Sequence, residues 1–105
     1  MLAACCGGSG AADGGGLTFE ATEFDFDPAT ATADAGEVSI TIDNQGEVRH
    51  TWTIEGMESD VMLDANSGQT DSGTVDLEPG TYTFYCDVPG HREAGMEGTL
   101  TVERS

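Results

Sequence analysis

At 105 residues the chain has room for one small domain and not for two. Its 20 acidic residues face three arginines and no lysine, for a formal net charge of -17. That balance excludes nucleic acid as a partner, because a polyanion would meet repulsion along its whole length.

Acidity this strong has two readings: a solvated surface that keeps a small protein soluble, or adaptation to very high salt, where close screening relieves self-repulsion. The absence of lysine favours the second. On that reading the domain unfolds at low ionic strength and recovers in molar salt; a melting temperature indifferent to salt would argue against it.

The first 16 residues read as a tail. Leu2-Ala3-Ala4-Cys5 resembles a lipobox, the peptide at which a bacterial-type lipoprotein is cut and acylated at its cysteine. Only Met1 precedes it, whereas a complete signal needs a charged start and an apolar run of about 7–15 residues, so either the true start lies upstream of Met1 or the four-residue resemblance is chance; the lipoprotein reading takes the first. Gly7 to Gly16 are nearly all Gly, Ala, Ser and Asp, the composition of a flexible tether. The expected organisation is a lipobox-like segment and tether over 1–16 and a folded domain over 17–105. Nothing else resembles a membrane span. Cys5 and Cys6 are adjacent in the tail and Cys86 stands alone, so the folded part has no disulfide available.

From Leu17 onward the apolar period is two, the mark of half-buried strands. Phe24 and Phe26 alternate with acids; Val38, Ile40 and Ile42 alternate with Ser and Thr. Val48, His50, Trp52 and Ile54 share one face, with Arg49, Thr51 and Thr53 on the other. Met57 to Gly73 lacks clear alternation and reads as a polar excursion with a short helix. Val75 and Leu77, then Tyr82, Phe84 and Cys86, then Leu100 and Val102 resume the strand pattern. Turn residues divide these segments at Asp27-Pro28, Ala35-Gly36, Asn44-Gln45-Gly46, Pro79-Gly80 and Pro89-Gly90. Glu78-Pro79-Gly80-Thr81-Tyr82 resembles the corner of a Greek-key sandwich, where the Tyr hydroxyl bonds back to nearby backbone. The expected fold is an all-β Greek-key β-sandwich of about seven to eight strands.

The chemistry concentrates in Cys86-Asp87-Val88-Pro89-Gly90-His91-Arg92-Glu93-Ala94-Gly95-Met96, which sets a thiol, an imidazole and a thioether at equal steps. Strand parity points Cys86 inward with Phe84, and His50 inward with Trp52, both near strand ends. If those strands are neighbours, His50 and Cys86 converge with His91 and Met96 on the loop. One thiolate, two imidazoles and a weak axial thioether are the ligand set of a blue-copper electron-transfer site, tolerable to both Cu(I) and Cu(II). Pro89, Gly90 and Gly95 constrain the loop before any metal arrives. Taken singly, Cys86 reads as a small core hydrophobe, Met96 as core packing, and either histidine as a satisfied polar residue. The combination is more specific, since the chain has two histidines and one cysteine beyond its tail. Met57 and Met62 are rivals for the axial place; neither shares the loop, so they read as packing residues.

Phe84-Tyr85-Cys86, Val88-Pro89-Gly90-His91 and Gly95-Met96-Glu97-Gly98-Thr99-Leu100 together resemble the ligand loop of the plastocyanin/azurin (cupredoxin) family. Arg49-His50-Thr51-Trp52 resembles its first-ligand strand, and the likeness extends over about residues 17 to 103. With the acidity and the lipobox-like start, the chain is most similar to halocyanins, the membrane-anchored cupredoxins of salt-loving archaea. The resemblance implies one copper ion held by His50, Cys86, His91 and Met96 and cycling between Cu(I) and Cu(II), in a one-electron carrier rather than an enzyme. It further implies a place at the extracytoplasmic face of the membrane, with a lipid anchor at Cys5. A monomer with redox partners docking near His91 is expected, His91 being the electron exit, and Asp87, Arg92, Glu93 and Glu97 are candidates to select the partner.

The family commonly carries Asn after the first histidine; Thr51 stands there and puts that tie to the ligand loop in question. Binuclear copper domains have a related loop with two cysteines, and a single one argues for a mononuclear centre. Two other classes remain: a copper-delivery protein using the same donors, and a thiol hydrolase using Cys86 with a histidine base. The inward face of Cys86 and the lack of an oxyanion-hole motif count against the last.

Overall fold

The computed structural model describes residues 16–104, so the lipobox-like segment and the tether with Cys5 and Cys6 lie outside the described residues. Nine strands follow in chain order: β1 (Leu17–Thr22), β2 (Asp25–Asp27), β3 (Thr30–Asp34), β4 (Gly36–Asn44), β5 (His50–Ile54), β6 (Met62–Ala65), β7 (Thr70–Leu77), β8 (Gly80–Tyr85) and β9 (Glu97–Glu103). They form two sheets, one ordered β2-β1-β4-β7 and the other β3-β9-β8-β5-β6. Three pairs of chain neighbours, β1 with β2, β5 with β6 and β8 with β9, lie antiparallel in one sheet, while the other connections cross between sheets; β1 and β4 pair in parallel, and β3 pairs in parallel with β9. The result is the all-β sandwich that the period of two implies.

Alternation decides which face each strand buries. In β4, Val38, Ile40, Ile42 and Asn44 point inward while Glu37 and Ser39 face water. The two inner faces meet around Trp52, Phe84, Phe19 and Phe26, all essentially buried. Trp52 and Phe84 stack at 5.4 Å, and Phe19 lies 4.7 Å from Phe84. Each such pair adds about 0.5–1.5 kcal/mol beyond its buried area. At the far end the Tyr82 hydroxyl donates to the Glu78 carbonyl at 2.7 Å, which pins the corner that feeds β8.

Five readings of the sequence are corrected. The stretch from Met57 to Gly73 holds no helix; it contains β6 and the start of β7, joined by a turn in which the Gln69 N–H donates to the Asn66 carbonyl. Its period of two is short, carried by Val61, Leu63 and Ala65 alone, and Met62, read as packing, is 41% exposed. Val48 is exposed rather than inward, since β5 begins only at His50. Thr51 and Thr53 do lie opposite Trp52 but are buried too, so β5 is covered on both faces. The segment after β5 folds back over it, and the Thr53 hydroxyl donates to the Val61 carbonyl at 2.5 Å. Phe24 falls in the turn between β1 and β2 and is exposed, because β2 is only three residues long and buries Phe26 alone.

Candidate metal centre

The strand order places β5 beside β8, with Ile54 opposite Phe84 and Thr53 opposite Tyr85. His50 opens β5 and Cys86 directly follows β8, yet both come to one end of the sandwich beneath the connection to β9. That connection is closed at its base by the Cys86 N–H, which donates to the Met96 carbonyl at 3.0 Å. Inside it, the His91 N–H donates to the Val88 carbonyl at 3.0 Å and the Met96 N–H to the His91 carbonyl at 3.1 Å. Gly95 adopts φ +117°, a conformation that strains any side-chain-bearing residue, so the chain reverses there before Met96. Arg92 braces the loop from outside: it lies 4.3 Å over the Tyr85 ring, donates to Glu97 at 2.8 Å and pairs with Glu55.

Four side chains were singled out from the sequence, and His50, Cys86 and His91 come together with one donor atom each, all within 4.8 Å of one another. It is the one cluster of its kind among the described residues. Cys86 Sγ is 3.4 Å from His91 Nδ1, and the two imidazole centroids are 5.1 Å apart. Met96, on the same loop, is fully buried; His50 and Cys86 are also 0% exposed and His91 is 9% exposed. Of the rival methionines, Met57 packs against the core and Met62 faces outward.

The donors suit a soft metal ion. His50 Nε2 is bonded to Glu23 Oε2 at 2.8 Å, which leaves Nδ1 buried with no partner. An unpartnered buried polar atom costs about 1–3 kcal/mol, and a metal ion is a group that takes its lone pair. Burial depresses the pKa of His91, and the neighbouring His50 lowers it further, which favours the neutral imidazole that coordination requires. A thiolate with two imidazoles selects copper or zinc over hard cations.

Thr51 resolves the question raised by its departure from the expected Asn. Its backbone N–H donates to Cys86 Sγ at 3.4 Å; its hydroxyl donates to Asp87 Oδ1 at 2.7 Å and accepts the Asp87 N–H at 2.8 Å. The tie between the strand and the loop is therefore present, made by a hydroxyl. Asp87 and Arg92 are accordingly engaged within the molecule.

Two residues at the site escaped the sequence reading. Glu23 bonds His50, and its own carboxyl is held below the usual range, first by that bond and then by the Glu47 and Val48 N–H groups. Phe24 sets its ring 4.8 Å from the His91 ring and is 42% exposed. Thr22-Glu23-Phe24 carries no motif, and only the turn between β1 and β2 brings it here.

A two-sheet β-sandwich with a Cys, two His and a buried Met at one end defines a small blue-copper type of protein. The model of the cupredoxin-like domain matches residues 1–102. A plastocyanin of Scenedesmus fuscus is 32% identical over 102 residues, covering 88% of this chain and 93% of that protein. Auracyanin-B of Chloroflexus aurantiacus is 53% identical over 38 residues, a match spanning 35% of this chain and 16% of that one. The structure of auracyanin A, a blue copper protein of the same bacterium, aligns with a TM-score of 0.70 at 26% identity, over 85% of this chain and all of that one. The chain belongs to the cupredoxin-like family, whose cofactor is a single copper ion and whose blue copper members carry electrons.

Proposed function

We propose that this protein is a mononuclear type 1 copper carrier in which His50, Cys86, His91 and Met96 hold the ion, serving a membrane-associated chain on the extracytoplasmic face. The observation that carries the reading is the partnerless Nδ1 of buried His50, in a cluster with Cys86 Sγ and a neutral-leaning His91. Bound copper supplies the one-electron change between Cu(I) and Cu(II). The protein's part is to hold soft and borderline donors in a closed, dry pocket whose shape serves both states.

His91 is the electron exit, because it alone of the four reaches the surface. Phe24 sets exposed apolar surface beside it, and a small interface suits brief redox encounters. Glu93, exposed on the loop, is left to influence the choice of partner, since Arg92 and Glu97 bond each other. A thiol hydrolase fits poorly because Cys86 is sealed from substrate, and copper delivery fits poorly because the donors are closed in by packing. Residues 17–105 constitute the copper-binding domain, with 1–16 as its tether and Cys5 as its anchor. The likeness to halocyanins rests on this start and on the acidity, which is read as adaptation to salt.

The protein loaded with Cu(II) should show an intense visible absorption from the Cys86 thiolate, and Cys86→Ser should abolish it. A colourless copper-loaded protein, or one that prefers zinc, would sink the carrier reading. Expressed from its own gene, Cys5→Ala should move the protein from the membrane fraction to the soluble one. Unchanged partitioning would remove the anchor.

A further inference from the structure

Glu23 belongs to neither sheet. It occupies the turn between β1 and β2, 27 residues before His50, and its carboxylate does two things at once. Oε2 takes the His50 Nε2–H at 2.8 Å, and the same carboxylate takes the Glu47 N–H at 2.9 and 3.1 Å and the Val48 N–H at 3.4 Å. The segment that leads into β5 is thus fastened to the ring that β5 presents. From the other side, Asn44 holds this segment by donating to the Val48 carbonyl at 2.8 Å and accepting the Gly46 N–H at 2.8 Å. Gly46 is part of the arrangement, because a Cβ at that position would overlap the Glu23 carboxylate.

A carboxylate that accepts one imidazole N–H determines three properties of the ring: the tautomer, its orientation and the basicity of the opposite nitrogen. Here the opposite nitrogen is the partnerless Nδ1. Its basicity matters most for the more highly charged state of a bound ion, which draws more strongly on a good donor. We propose that Glu23 is a positioning residue of the copper centre: it holds His50 in the tautomer with Nδ1 free, aims that atom into the Cys86–His91 cluster, and lowers the reduction potential by favouring Cu(II). The inference rests on the copper reading of the site.

The test uses the full chain and three variants. Glu23→Gln keeps an acceptor for His50 and removes the charge; Glu23→Ala removes both. Gly46→Ala keeps the glutamate but pushes its carboxylate away, with little cost because the side chain can swing outward. In metal-free protein, nitrogen NMR of the neutral imidazole should find His50 with Nδ1 unprotonated in the wild type and a mixture of tautomers in Glu23→Ala and Gly46→Ala. In copper-loaded protein, Glu23→Ala and Gly46→Ala should weaken Cu(II) relative to Cu(I) by about 10-fold, the lower end for lost partners of metal-bound histidines. For one electron that is an upward shift of about 59 mV. Glu23→Gln should preserve the tautomer and shift the potential less. Unchanged tautomer and potential in Glu23→Ala and Gly46→Ala, in a protein whose wild type is blue, would overturn the role of Glu23. A wild type that takes up copper without colour would instead overturn the copper reading, and the metal-free NMR would still show whether Glu23 sets the tautomer.

Discussion

The segment from Cys86 to Met96 and the start of β5 bring donors to the same place by different physical means. The loop is organised largely by itself: its backbone bonds run from Cys86 to Met96, from His91 to Val88 and from Met96 to His91. The strand side is organised from afar. His50 is oriented by Glu23, 27 residues away, and Thr51 is tied to Asp87 across 36 residues. A short loop can place three side chains with few long-range contacts, because closing it costs little entropy. A donor on a central strand is buried and directed only once both sheets and the turn between β1 and β2 are in place.

The two histidines give the largest test of that contrast. His91→Gly opens a cavity at the surface and should recover colour when imidazole is added, whereas His50→Gly should not, since that position is 0% exposed beneath Glu23. Equal rescue of both, followed by visible absorption, would erase the distinction. Next in size, Met96→Leu should leave the colour but raise the potential, because the proposed copper site makes Met96 the weak donor that favours Cu(II), while the loop backbone is unchanged. A potential equal to that of the wild type would take Met96 out of the axial place. The smallest effect is expected for Thr51→Val, which strips the Asp87 N–H of its acceptor and should lower stability by about 1–3 kcal/mol in denaturant unfolding. Wild-type stability in this variant would show that the strand and loop are held together without the hydroxyl.

Legibility in the sequence follows the same division. Strands with β-branched or aromatic residues on one face announce themselves, as Val38, Ile40 and Ile42 do in β4. β3 escapes because its inward residues, Ala31 and Ala33, bury too little to stand out, and β6 escapes because it contributes only Leu63 and Ala65. At the site, Cys86, His91 and Met96 are conspicuous through spacing alone, and His50 through its strand parity. Glu23 and Phe24 are invisible to either rule. A glutamate in an acidic chain is one among many, and nothing local marks which one will accept a proton from an imidazole.

What the sequence determined by itself is the all-β character, the acidic exterior and the chemical types and order of the donors. Each is a local property: a period of two, a charge count, a spacing. The tertiary structure alone decided that β5 would be buried on both faces, that His50 would keep Nδ1 partnerless by giving its other nitrogen to Glu23, and that Thr51 would clasp Asp87. Those features depend on which strands become neighbours, and that choice is made by burial of the shared Trp52, Phe84, Phe19 and Phe26 cluster, to which four strands of both sheets give one ring each.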